Sequence, residues 1–336
     1  YLMAAADRAQ EDRRRPVPGG RASAAALERY FSGPHIAFRS NSDDMSYGRI
    51  AVAPLARPGA KFVGEHACAR LDLVPGGGAL CLLEDFGLLA PYHAVLLDRQ
   101  LREVWRTGLQ GIPSRVRVGP DGRLAAITVF VTGHSYAEAG FSTLTTIVDM
   151  ATGRVLTDLE QFTVTRGGRP FDLVDFNFWG VTFMDDGRTF FATLSTGGKI
   201  YLVRGDALSR TAEVVADDVE CPSLSLDGTR LAFKRRQGGS GQVEWRLQVL
   251  DLRTFAAVPL AETRNVDDQV EWLDDERIIY AVSNPDRPSA RDTWVVPADG
   301  SGTPEPFRRL AESVVVGSGG RSDDVGARAG AQRQGE

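Results

Sequence analysis

The sequence predicts an all-β chain: a six-bladed β-propeller closed by a C-terminal strand, with a short N-terminal helical extension. Three observations carry this reading: a turn signature at near-constant spacing, apolar strand patterns on both sides of each copy, and a β-branched run after the last copy. The clearest turn is Gly119-Pro120-Asp121-Gly122, followed by Leu124-Ala125-Ala126-Ile127. It returns at Asp185-Asp186-Gly187, Ser225-Leu226-Asp227-Gly228 and Asp274-Asp275-Glu276. Asp121 and Asp186 lie 65 residues apart, Asp186 and Asp227 41, and Asp227 and Asp275 48. Weaker copies at Pro75-Gly76-Gly77-Gly78 and Ser32-Gly33-Pro34 precede it in steps of 44. Repeats of this length denote propeller blades or solenoid units.

Taken in order, residues 1–31 form an N-terminal extension with helical patterns at 4–15 and 22–31, joined by a Pro/Gly linker. Residues 32–316 carry the six units. Each turn is expected to be a two-residue hairpin whose centre needs positive φ, which Asp and Gly tolerate best. Each unit continues into further short strands. Residues 245–252 mostly alternate apolar and polar, and 145–150, 200–203 and 292–297 hold the same place in their units. Four short strands per unit, repeated six times, build a propeller. The first unit has little strand-like sequence before Ser32, and the run 312–316 can pair there, closing the ring and removing an exposed edge. From 317 to 336 the chain is Gly, Ser, Arg, Asp and Gln with little to bury, and disorder is expected.

A turn of Ser-Pro-Asp-Gly type followed by an Ile-Ala-Phe type strand resembles the repeat of TolB-like propellers. Gly119-Pro120-Asp121-Gly122 and Ser225-Leu226-Asp227-Gly228-Thr229-Arg230-Leu231-Ala232-Phe233 match it closely, and the resemblance spans roughly residues 32 to 316. It implies a binding or scaffold propeller in an extracytoplasmic compartment: periplasm, cell surface or exterior. It does not extend to the α/β domain that precedes the TolB propeller, for which 31 residues are too few. The resemblance alone carries the compartment, and a cytoplasmic home stays open.

Composition narrows the partners. Net charge is only −5, and 36 of the 39 basic residues are Arg spread along the chain, so no phosphate-binding patch stands out and nucleic acid is not expected. No apolar run reaches the roughly 18 residues of a transmembrane helix. The chain opens on Tyr1 rather than Met, so a signal or membrane anchor upstream of Tyr1 fits the sequence. Cys68 and Cys81 flank the Pro75–Gly78 turn. With Gly76-Gly77 at the hairpin centre, Cys81 faces Asp72 and Cys68 faces Asp85, which favours free thiols over a cross-strand disulfide unless a bulge changes the register.

Residues 133–137, Gly-His-Ser-Tyr-Ala, approach the Gly-x-Ser-x-Gly nucleophile elbow. None of the four histidines follows Ser135, and no βαβ crossover is available, so a loop is the better reading and no catalytic residue is assigned. The stretches 133–143 and 165–172 lengthen one unit, and long insertions in compact repeats are where binding surfaces usually lie. His134, Tyr136, Phe141, Phe171 and Trp179 are therefore candidate partner contacts, for a protein, peptide or glycan. The competing expectation is that Phe176, Phe178 and Trp179 pack between blades.

Reading back from each turn gathers a second candidate site at the channel rim: His66, Arg70, Arg115, Asp175, Asn177, Glu220, Asp267, Asp268 and Glu312, with Ser114, Ser223 and Gln269 beside them. Converging carboxylates suit a hard cation such as calcium, for which Asp175, Glu220 and Asp268 are the expected ligands, or a cationic group on a partner. Neutralisation of the carboxylates by Arg70 and Arg115 is the plainer alternative. Three functions stay open: a noncatalytic binding module, a metal-assisted hydrolase or lyase at the channel mouth, and an accessory propeller of a larger membrane-anchored or enzymatic assembly.

Overall fold

A computed structural model describes residues 24–83, 92–137, 140–238 and 243–319. The helix expected at 4–15 and the tail from 320 onward lie outside them. One short helix, α1 (Ala24–Phe31), precedes an all-β body. The first sheet holds β1 (His35–Ser40), β2 (Arg49–Pro54), β3 (Phe62–Leu73), β4 (Ala79–Leu83), β5 (His93–Leu97) and β6 (Glu103–Gly108). Next come β7 (Ile112–Val118), β8 (Leu124–Thr132), β9 (Ser142–Asp149) and β10 (Val155–Asp158). The third sheet contains β11 (Thr163–Arg166), β12 (Arg169–Pro170), β13 (Asn177–Phe183), β14 (Thr189–Thr196), β15 (Lys199–Asp206) and β16 (Thr211–Asp217). The last two are β17 (Glu220–Leu224), β18 (Arg230–Gln237), β19 (Glu244–Asp251) and β20 (Ala257–Pro259), then β21 (Glu271–Asp274), β22 (Arg277–Ser283), β23 (Arg291–Pro297) and β24 (Glu305–Arg308). The final strand, β25 (Ala311–Gly317), returns to pair antiparallel with β1, His35 opposite Gly317 and Ala37 opposite Val315.

The arrangement is a β-propeller. Six strands, β25, β3, β7, β13, β17 and β21, touch one another in that order and back to β25, and so ring an axis. The twelve-residue β3 serves two groups of strands: its first half pairs with β2, Ala67 opposite Arg49, and its second half with β4, Leu73 opposite Ala79. No single core fills the centre. Apolar clusters instead sit between successive sheets, as where Leu80 and Leu82 meet Val116, Ile127 and Val148. Ile36, Phe38 and Ala51 from the start of the chain likewise pack on Leu273, Ile279 and Val295 from its end. Inner and middle strands are thus buried on both faces, as β1 is along its whole length.

The Asp-Gly turns differ from expectation. In the clearest copy Gly122 N–H donates to Gly119 O (2.9 Å) and Gly119 N–H to Leu124 O (2.8 Å), which places Pro120 and Asp121 at the centre and Gly122 after it at φ +70°. Gly alone adopts positive φ. Asp121 acts through its carboxylate, which accepts the Arg123 N–H, and Asp186 and Asp227 do the same for Arg188 and Thr229.

The thiol expectation is overturned: Cys68 and Cys81 form a disulfide with their Cα atoms 5.4 Å apart. Cys81 lies opposite Leu71, not Asp72, and a bulge between Cys68 and Arg70 slides Cys68 into reach. Cys221 is a buried free thiol. A cross-link over 13 residues of sequence contributes about 3 kcal/mol by chain entropy. Thiol titration in denaturant should find one reactive thiol per chain before reduction and three after. Reduction should also lower Tm by roughly 4 °C. Three thiols without reductant would refute the pairing.

Candidate functional site

The inner strands all begin at one end of the propeller, the upper face, and several break register close to it. The breaks fall between Cys68 and Arg70, Pro113 and Arg115, Trp179 and Thr182, and Glu220 and Ser223, and β25 shifts against β1 between Ala37 and Arg39. Such bulges re-aim side chains and leave an extra residue in an unusual conformation. Gly180, Cys221 and Ser313, at φ +63°, +48° and +50°, are those residues. Gly is required at 180, because a Cβ there would lie 2.6 Å from the Cys221 Cα.

This geometry turns charged side chains toward the axis. Glu312 receives Arg39 at 2.6 Å, Arg291 at 3.2 Å and Asn41 at 3.3 Å. Asp267 takes Lys234 at 3.0 Å and Arg115 at 3.8 Å, and the fully buried Lys234 ammonium also lies 4.7 Å from the centre of the Trp245 ring. Glu220, equally buried, pairs with Arg236 and accepts Trp245 Nε1–H at 3.1 Å. Arg70 donates to Ser114 O at 2.8 Å. Burial raises the pKa of Asp268, and Arg70, Arg291 and Arg115 oppose the rise. Burial also presses on Asp267 and Glu312, but there the nearby cations win and both stay below the ordinary carboxylate range.

Deeper along the axis Arg117 pairs with Glu271, beside the buried Asp72. Asp72 accepts Val118 N–H at 2.7 Å and Leu73 N–H at 2.9 Å. Burial lifts its pKa to about 6, with Arg117 opposing. One axial void of about 20 Å³ is lined by Arg70, Arg117, Gln269 and Glu271 among others. That is room for about one water molecule. Arg117 Nε and Gln269 Nε2 have no partner among the described residues.

Arg70, Arg115, Asp267, Asp268 and Glu312 therefore share one network, and Glu220 adjoins it. His66 does not: it sits off the axis among Glu103, Glu65, Arg106 and Arg49, and burial lowers its pKa. Asp175 is exposed and ties Thr196 Oγ1 and Gly197 N–H, while Asn177 accepts Thr143 N–H at 2.8 Å. The expected calcium ligands do not converge, since Asp175, Glu220 and Asp268 have separate partners. Among the described residues no three His, Cys, Asp or Glu side chains come together as a metal site. Arg39, Lys234, Arg236 and Arg291 lie outside the inner strands, Arg39, Lys234 and Arg236 on the next strand and Arg291 on the third, so reading back from the turns does not reach them. Lys234 carried a signal, a lysine in the run Leu231-Ala232-Phe233 opposite Glu220.

The aromatic insertion also differs from expectation. Tyr136 and Trp179 are 2% and 0% exposed, too buried to anchor a partner. Tyr136 stacks on Trp179 at 4.8 Å, Phe141 meets both edge-on, and Phe171 packs on Phe176 and Tyr201. Tyr136 OH lies 2.5 Å from Ser114 Oγ, its ring is 5.1 Å from the Arg115 guanidinium carbon, and its carbonyl accepts Arg236 at 2.9 Å. Through Tyr136 the insertion meets the rim at Ser114, Arg115 and Arg236. His134 stays exposed, as do Leu173 and Val174 in the neighbouring loop.

No protein-family model matches the chain, and no curated protein matches its sequence. Solved structures do match. TolB from Acinetobacter baumannii superposes with a TM-score of 0.57 at 15% identity, over 85% of this chain and 67% of that one. A chain of a nidogen/laminin complex superposes with 0.54 at 10% identity, over 84% of this chain and 98% of that one. At such identities the likeness is one of fold, and it supports the propeller assignment. No helix among the described residues is long and apolar enough to cross a membrane.

Gly180→Ala should cost about 2–4 kcal/mol in denaturant unfolding, from left-handed strain and the clash with Cys221. A loss under 0.5 kcal/mol would contradict the close approach. Folded Asp72 binds its proton more tightly than the unfolded chain does, so its contribution is full below about pH 4 and lost as pH rises through about 6. Asp72→Asn should flatten the pH dependence of Tm across that interval, and an unchanged slope would show that Asp72 is not its source.

Proposed function

We propose that this chain is a six-bladed propeller that binds a protein or peptide partner through its upper face, in an extracytoplasmic compartment. The blade count rests on the six inner strands that ring the axis and on splitting the first sheet within β3, so that 62–67 ends one blade and 68–73 begins the next. The observation that carries the binding reading is the web of ion pairs at the axis mouth. Tyr136 packs against it, and a void of about 20 Å³ lies deeper, beside Arg70 and Arg117. Recognition falls to the surface around the mouth, where Leu173 and Val174 project and Arg236, Arg291 and Asp267, each about one-third exposed, add charge.

The partner class follows the nidogen/laminin neighbour, a propeller chain in a complex between proteins. The compartment follows the likeness to TolB and the disulfide, since disulfides persist in oxidising surroundings. The test is site-specific photo-crosslinking in the source cells. A photoreactive residue at Val174 should give a discrete protein adduct, one at Leu226 on the opposite face should not, and Val174→Asp should weaken binding of the protein so identified. Adducts at Leu226 alone, or at neither position, would overturn the assignment of the upper face.

A further inference from the structure

Where the last sheet meets the first, two cations form no ion pair among the described residues. Arg308, on β24, holds its guanidinium carbon 4.1 Å from the centre of the Phe38 ring on β1, and its Nε and Nη1 are buried without a hydrogen-bond partner among the described residues. Lys61, just before β3, reaches three hydroxyls instead of a carboxylate: Ser42 Oγ at 3.2 Å, Ser46 Oγ at 3.3 Å and Ser40 Oγ at 3.4 Å. We propose that Lys61, Arg308 and Ser42 form a binding site for a phosphate or sulfate group.

Strand geometry sets the span. Ile36 and Phe38 lie on the face of β1 that packs on Leu273, Ile279 and Val295, and alternation along the strand puts Ser40 on that face too. Val63, two residues after Lys61, joins the same cluster. Arg308 over Phe38 and Lys61 at Ser40 therefore stand two strand residues apart, roughly 7 Å, on one face. Two charge-assisted hydrogen bonds of about 2.8 Å leave room between them for one oxyanion. Both side chains are partly exposed, so an ion reaches them from solvent. Ser42 supplies a third contact: its Oγ accepts from Ser40 and Lys61, each at 3.2 Å, and its own proton goes to no described residue. A tetrahedral anion has an oxygen for each of the three donors, whereas a carboxylate falls one short. Asp44 is the carboxylate whose charge acts on Lys61, but its Oδ1 is held by the Ser46 N–H and hydroxyl. Burial lowers the pKa of both cations, that of Arg308 to about 10, and a bound anion opposes this. The site spans the seam of the ring and does not depend on the partner reading of the upper face.

The test follows the full chain by calorimetry and thermal melting with inorganic phosphate or sulfate at millimolar concentration, against sodium chloride at equal ionic strength. The oxyanions should bind saturably and raise Tm, as any ligand of the folded state does, and chloride should not. Arg308→Gln and Lys61→Gln should each weaken phosphate binding about tenfold, the loss of one charge-assisted hydrogen bond. Arg253→Gln, which removes an exposed arginine in the β19–β20 turn, should leave it unchanged. Phenyl phosphate binding as tightly as inorganic phosphate would assign the site to a phosphate carried on a larger molecule, and binding of inorganic phosphate alone to the free ion. No effect beyond that of chloride in the unmutated protein would refute the site without relying on any variant. Equal weakening by Arg253→Gln would also overturn it, by showing attraction to surface charge at large.

Discussion

The structure depends on one pairing between distant parts of the chain, β25 against β1. Apolar clusters lie between sheets rather than inside one core, so every sheet needs a neighbour on both sides to be dry. Without β25, β1 would expose an unpaired edge, and the cluster joining Phe38 and Ala51 to Leu273 and Ile279 would lose Val314 and Ala311. The separation does not forbid it. Closure entropy grows slowly, by about 0.6 kcal/mol for each doubling of loop length, so joining the ends of the ring costs little more than joining two blades.

Closing the ring creates a second constraint at its centre. Six strands converge on a space too narrow for another layer of structure, yet the bulges aim their side chains into it. The solution is a set of long cations reaching across to carboxylates, with Arg39 and Arg291 on Glu312 and Lys234 and Arg115 on Asp267. Buried charges tolerate this only when paired, and removing one partner strands the other. Arginine suits the task because its planar fork serves several acceptors at once. Tyr136 completes the packing from above, adding aromatic surface and one hydroxyl contact.

The two ends of the axis therefore differ in kind. The upper end carries ion pairs and aromatic packing, with the exposed Leu173 and Val174 in a loop beside them. At the lower end, glycines in the β3–β4 turn and at the end of β25 hold no side chain, and the space they leave is bounded by α1. Both properties follow from where the same inner strands begin and stop.

Much of the fold was legible because it is local. The Asp-Gly turns, the strand patterns beside them, the helix ending at Phe31 and the β-branched closing strand are each encoded within a few residues. Their spacing was enough to place Arg70, Arg115, Asp267, Asp268 and Glu312 around one axis. What the spacing could not show was which way each side chain points. A bulge of one residue turned Cys68 toward Cys81, while His66 lies apart from Arg70 and Asp175 has partners of its own away from Asp268. Register changes cost little locally and are decided by packing across strands far apart in sequence. By itself, then, the sequence determined the all-β propeller class, the places of its turns and the charged character of the axis. Tertiary structure alone decided the disulfide, the inward turn of Tyr136 and the partners of each buried charge, because only there do adjacent sheets compete for the same space.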